Sequence, residues 1–142
     1  PEIWSWGHRN PQGMALHPTT GELWATEHGA RGGDEINRVL PGRNYGWPRI
    51  THGVDYSGMR ISPDTALPGM EQPVVHWTPS IAPSGFAFVT GDRFPGWRGN
   101  AFSGALAGQQ LRRVVLDGTR ATHQETLLQG RARIRAVQQG PD

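Results

Sequence analysis

The sequence predicts an all-β fold built from short strands, and three observations predict it. Apolar or alternating runs of about four to seven residues recur at spacings near ten. Gly (20) and Pro (12) are close to a quarter of the 142 residues and are scattered without a period, as turns between strands require. No segment sustains helical periodicity over three turns. A sandwich, a barrel or a propeller all fit this pattern.

The elements follow in order. Glu2–Trp6 reads as extended and ends at Gly7. Residues 14–17 and 22–27 are strands joined by Pro18-Thr19-Thr20-Gly21, a turn with Pro early and Gly last. A third strand over Glu35–Leu40 stops at Pro41-Gly42. Residues 41–72 hold five Gly and four Pro and read as a long loop, the kind that carries function or moves. Strands resume at 73–77, 85–90, 100–106 and 111–116. Asp117-Gly118 then signals a hairpin. Thr122–Leu128 and Ile134–Gln138 follow as weaker strands. Gln139–Asp142 resembles the start of a Pro-Asp-Gly turn without its second strand, so a fragment is expected. About ten strands make two to three four-stranded blades, whereas a closed propeller needs roughly four to eight. Edge strands left open invite self-association into a homo-oligomer.

Composition narrows the classes. One domain over residues 1–142 has room for a modest core. No apolar run reaches the ~20 residues of a membrane span. There is no Cys, so disulfides and thiolate metal sites are out. All 14 basic residues are Arg, dispersed over a net charge of +2, with no basic aromatic stripe for nucleic acid. Gly-x-Ser-x-Gly, Gly-x-Gly-x-x-Gly and His-Glu-x-x-His are all absent.

Candidate chemistry gathers where alternation breaks. Arg9, Asn10 and Gln12 put three hydrogen-bonding side chains within four positions, between Gly7 and Gly13. Arg offers a planar fork to carboxylates and other anionic oxygens, and Asn and Gln both donate and accept. A solvated loop is the alternative. His28-Gly29-Ala30, ahead of Asp34, forms a Gly-rich turn past a strand, able to aim backbone carbonyls at a hard cation. A solvated acidic loop reads equally well. Asn44–Pro48 reads as an aromatic plug under the long loop. Ser80 lies in a Pro-rich connection, Trp77–Ser84. Arg133 and Arg135 flank Ile134 and, on a strand, share one face, where an anion would answer them. A solvated edge strand is the alternative.

These motifs resemble the soluble pyrroloquinoline quinone (PQQ) dependent sugar dehydrogenases, the glucose/sorbosone dehydrogenase family, through nearly the whole chain. The resemblance implies a six-bladed β-propeller of which this chain is an incomplete part. It implies oxidation of aldose sugars at C1 with PQQ and Ca²⁺, electrons passing to an external acceptor, in a bacterial periplasmic or secreted protein whose signal peptide is not in this chain. Arg9 would stabilise negative charge on the quinone, with Asn10 and Gln12 beside it. The carbonyls of Gly29 and Ala30 would hold the calcium, with His28 and Asp34 near the cofactor. Ser80 would give it a hydroxyl, and Arg133 and Arg135 would meet its carboxylates. The family's general-base His has no match here, so the fragment is expected to be inactive alone. A cation common in the family is missing from Gly104–Gly108, which leaves a non-catalytic binding module as the alternative.

Overall fold

A computed structural model describes residues 2–141. Its eight strands form two antiparallel sheets, each a four-strand meander in sequence order. The first comprises β1 (Pro11–Leu16), β2 (Leu23–Glu27), β3 (Asp34–Val39) and β4 (Val75–Trp77). The second comprises β5 (Pro83–Phe88), β6 (Ala101–Ala105), β7 (Gln110–Asp117) and β8 (Arg120–Leu127). These are two propeller blades. Among the described residues the only helical element is a single 3₁₀ turn, Pro95–Trp97.

The core lies between the blades. Trp24, Ile36, Val75 and Trp77 of the first meet Phe86, Phe88, Ala101 and Val114 of the second. Trp24 meets Phe88 edge-on, with ring centroids 5.8 Å apart. Burying each such large side chain stabilises the fold by about 1.5–3 kcal/mol. Close approach at the inner edge needs glycine. A Cβ on Gly13 of β1 would lie 2.4 Å from the Ser84 carbonyl oxygen, and one on Gly85 of β5 would lie 2.5 Å from Val137 N. So β1, β5 and the segment around Ala136 run side by side.

Three expectations change. β1 starts at Pro11 rather than 14, because Pro11 pairs with Glu27 ahead of a bulge before Gly13. Glu2–Trp6 is not a strand. Trp6 makes an isolated parallel bridge to Asn44, through Trp6 N–H to Arg43 O and Tyr45 N–H to Trp6 O. Ile134–Gln138 is not a strand either. It has bonds from Gly85 N–H to Arg135 O and from Ile134 N–H to Ala105 O, too few for a ladder, and alternation alone could not reveal that. The blade count among the described residues is two, within the expected two to three, and Asp142 of the expected final turn lies outside them.

Residues 41–72 contain no strand, as the sequence suggests, and Tyr45 fastens them. Its hydroxyl donates to Arg38 O at 2.5 Å and accepts from Leu40 N–H at 2.8 Å, while its ring stacks on His8 at 4.5 Å. Tyr45→Phe should lower stability by about 1–2 kcal/mol in a urea titration, since both backbone groups lose their partner. An unchanged midpoint would refute the fastening role.

Candidate functional site

The site starts from a carboxylate at the end of β2. Trp24, Ala25 and Thr26 leave no solvent face on that strand, so Glu27 is also buried, at 4% exposure. It accepts from His8 Nδ1 at 3.0 Å, Arg9 N–H at 2.8 Å and Asn37 Nδ2 at 2.7 Å. With Nδ1 donating, His8 Nε2 accepts from the Ser5 hydroxyl at 2.9 Å. Burial pushes Glu27 up, but the bonds from His8 and Arg9 outweigh it and hold the group below its ordinary value. This ionised carboxylate fixes the turn that carries Arg9.

Arg9 then reaches across to the next turn. Its Nη1 donates to Gly29 O at 2.7 Å and to His28 O at 3.2 Å. Trp47 lies 5.2 Å and Tyr56 5.8 Å from the guanidinium carbon, and Nη2 reaches the Tyr56 hydroxyl at 3.4 Å. Asn10 O accepts from His28 N–H, while the exposed Asn10 and Gln12 side chains bond to each other.

Asp34 is fully buried and saturated. It accepts from Gly29 N–H at 2.9 Å, the Ser80 hydroxyl at 2.7 Å, Ile81 N–H at 2.7 Å and Ala82 N–H at 2.9 Å. It ties the Gly29 turn to the connection between the blades. The Ser80 proton is thus directed to Asp34.

The tie continues into the second blade. His28 Nε2 donates to Pro83 O at 2.6 Å. Ser84 donates to Ile134 O at 2.5 Å, and Gly85 N–H to Arg135 O at 2.8 Å. Arg9, Gly29, His28, Asp34, Ser80 and the backbone of Arg135 therefore lie along one continuous hydrogen-bonded seam. Arg133 and Arg135 have exposed side chains at its far end. A cleft of about 10 Å³, room for one water, opens between Arg9, Glu27, Gly29, Glu35 and Trp47. A larger cleft of about 460 Å³ lies against Phe88, Phe94, Trp97 and Phe102. Its walls are chiefly apolar, whereas the smaller one is lined by the polar and charged groups of the seam.

Among the described residues no three carboxylates or imidazoles converge as metal ligands. An ion here would rest on carbonyl oxygens, which suits a hard cation such as calcium. The Arg9 charge already seated on His28 O and Gly29 O is a stand-in for that cation, so this part of the donor set fits.

Two four-stranded blades joined by a polar seam define a piece of a β-propeller. The Glucose / Sorbosone dehydrogenase family model matches residues 1–142, and the chain belongs to that family. It is 47% identical over 144 residues to the aldose sugar dehydrogenase YliI of Escherichia coli, covering 99% of this chain and 39% of that protein. The crystal structure of the soluble aldose sugar dehydrogenase of Escherichia coli in the apo-form superimposes with a TM-score of 0.94 at 46% identity, covering 99% of this chain and 42% of that one. The PQQ-bound form of aldose sugar dehydrogenase from Streptomyces coelicolor gives 0.72 at 33% identity, over 94% of this chain and 35% of that one. The chain thus spans well under half the length of these relatives.

Sequence reasoning missed Glu27, Glu35, Trp47 and Tyr56 as parts of the site. Glu27 had a usable signal, a carboxylate ending a strand of otherwise apolar or small residues. Tyr56 had none, since it meets Arg9 across 47 residues of chain.

Proposed function

We propose that this chain carries one wall of the cofactor site of a PQQ- and calcium-dependent dehydrogenase. That enzyme oxidises aldose sugars at C1 to lactones, in the periplasm or outside the cell, and passes electrons to an external acceptor. The observation that supports the reading most is the seam from Arg9 through Gly29 and Pro83 to Arg135, because it puts cations and loop carbonyls from both blades on one line. PQQ, when bound, supplies the two-electron acceptor for the hydride lost from the sugar.

The chain's own residues do the holding. Arg9 lays a planar fork against negative oxygen, worth most where water is excluded. Arg133 and Arg135 meet carboxylates with a matched fork geometry. Asn10 and Gln12, next to Arg9 in the same turn, orient a polar edge. Gly29 and Ala30 offer carbonyls to calcium. Asp34, Ser80 and His28 bond the supporting loops to one another. The general base is no residue of this chain, so the isolated chain binds without turning over.

Calorimetric titration of the purified protein with PQQ and Ca²⁺ tests this. We expect saturable binding, weakened about tenfold by Arg135→Ala, the loss of one charge-assisted pair. Absence of saturable binding, or glucose oxidation by the isolated chain in a dye-linked assay, would overturn the respective half of the reading.

A further inference from the structure

We propose that the Arg9 guanidinium is a resident cation on the His28 and Gly29 carbonyls, that a divalent ion must displace it, and that Tyr56 is the positioning residue that keeps it there. The inference rests on the calcium half of the reading above. Calcium takes carbonyl oxygens at about 2.3–2.6 Å. Arg9 Nη1 already holds Gly29 O at 2.7 Å and leans on His28 O at 3.2 Å. Two cations on one carbonyl would lie within a few ångströms and repel, weakly in water and far more in a cleft with room for one water. Asp34 does not offset that repulsion by ligation, because all of its bonds go to Gly29, Ser80, Ile81 and Ala82. Ion and guanidinium therefore alternate.

Tyr56 gives the arm its grip. It is 70% exposed, yet it presents both ring and hydroxyl to Arg9. A tight turn holds it: Asp55 accepts from the Ser57 N–H and hydroxyl, and Asp55 N–H donates to Met59 O. That turn is pinned next to the Gly29 loop by paired backbone bonds between Arg31 and Val54, at 2.9 and 3.1 Å. An ion arriving on Gly29 O releases Arg9 from this clamp and frees its fork for an anion. Ion and anion then bind cooperatively, and the ion alone binds below its intrinsic affinity by the fraction of molecules with the carbonyl vacated.

Calorimetric titration of the purified protein with calcium alone, without quinone, reads this directly. Arg9→Ala should bind calcium about tenfold more tightly than the parent, and Tyr56→Ala about threefold more tightly, since each removes part of the competition. Tyr56→Phe should fall between Tyr56→Ala and the parent. Equal or weaker binding in both alanine variants overturns the proposal. If Arg9→Ala does not fold, the exposed Tyr56→Ala decides alone. No calcium binding by any of the proteins also overturns it, while PQQ titration still judges the dehydrogenase reading separately.

Discussion

Asp34→Asn is expected to lower stability by about 3–5 kcal/mol, a large share of what a domain of this size possesses. The carboxylate is fully buried and accepts four bonds, one at Oδ1 and three at Oδ2. An amide has only one acceptor oxygen. If that oxygen replaces Oδ2, the new NH₂ faces Gly29 N–H. If it replaces Oδ1, the NH₂ faces Ile81 and Ala82 N–H together. Either way at least two buried donors, a backbone N–H and the new NH₂ that faces it, are left without an acceptor, at about 1–3 kcal/mol per orphaned group. The Ser80 hydroxyl can rotate away, so Ser80→Ala should cost only about 1 kcal/mol. Urea titrations of both variants separate the two. Were Asp34→Asn to shift the parent midpoint no more than Ser80→Ala does, Asp34 would not be what joins the Gly29 turn to the blade connection. The same variant should slacken the turn that carries the candidate carbonyls, so weaker calcium binding should accompany the loss of stability.

Much of the fold could be read from the sequence because the blades obey local rules. The Pro18–Gly21 turn and Asp117-Gly118 both fall between strands that pair. All eight observed strands overlap an expected strand by three residues or more, the shortest being Val75–Trp77. β1 shares 14–16 with its expected run and begins earlier. The failures occur where tertiary contacts replace the ladder. Glu2–Trp6 has the right alternation, but its partner is a loop. Ile134–Gln138 lies along the inner edge without a regular register. The site follows the same division. Arg9, His28, Gly29 and Asp34 sit in compact Gly-rich motifs whose residue types have no use in a core, and they do converge. The expectation that Arg133 and Arg135 share a strand face fails because the segment is not a strand. The direct contact of Arg9 with Gly29 O was not legible at all. The motifs placed both at one site but said nothing of which would hold the other. Tyr56 and Trp47 come from the long loop, where no periodicity guides a reader.

Glu35 should make the fold less stable as pH rises from about 4.5 to 7. Burial is the main cause, pushing its carboxyl up to about 7. The Asn37 bond opposes this, and the charges of Glu27 and Asp34 add to it against a smaller opposing pull from His8. Asn37 Nδ2 serves both carboxylates, Glu27 at 2.7 Å and Glu35 at 3.0 Å, so a single donor answers two acids. The unfolded chain releases the Glu35 proton near 4.5, whereas the folded chain keeps it to about 7. Between those values the folded state binds more protons, so stability falls with rising pH. The contribution is fully present below about 4.5 and gone above about 7. Its size is about 2–3 kcal/mol by linkage, allowing for incomplete burial. His52 works in the opposite sense. Burial and then the neighbouring His76 hold it below its ordinary value, so it favours the fold as pH rises. A single pH curve therefore mixes the two, and the difference between the parent and Glu35→Gln isolates the first. Urea titrations from pH 4 to pH 8 should show the parent losing stability relative to Glu35→Gln across that window, because a neutral amide cannot acquire the charge. Parallel curves would mean that Glu35 ionises in the folded protein at its ordinary value, and that Asn37 satisfies both carboxylates at once.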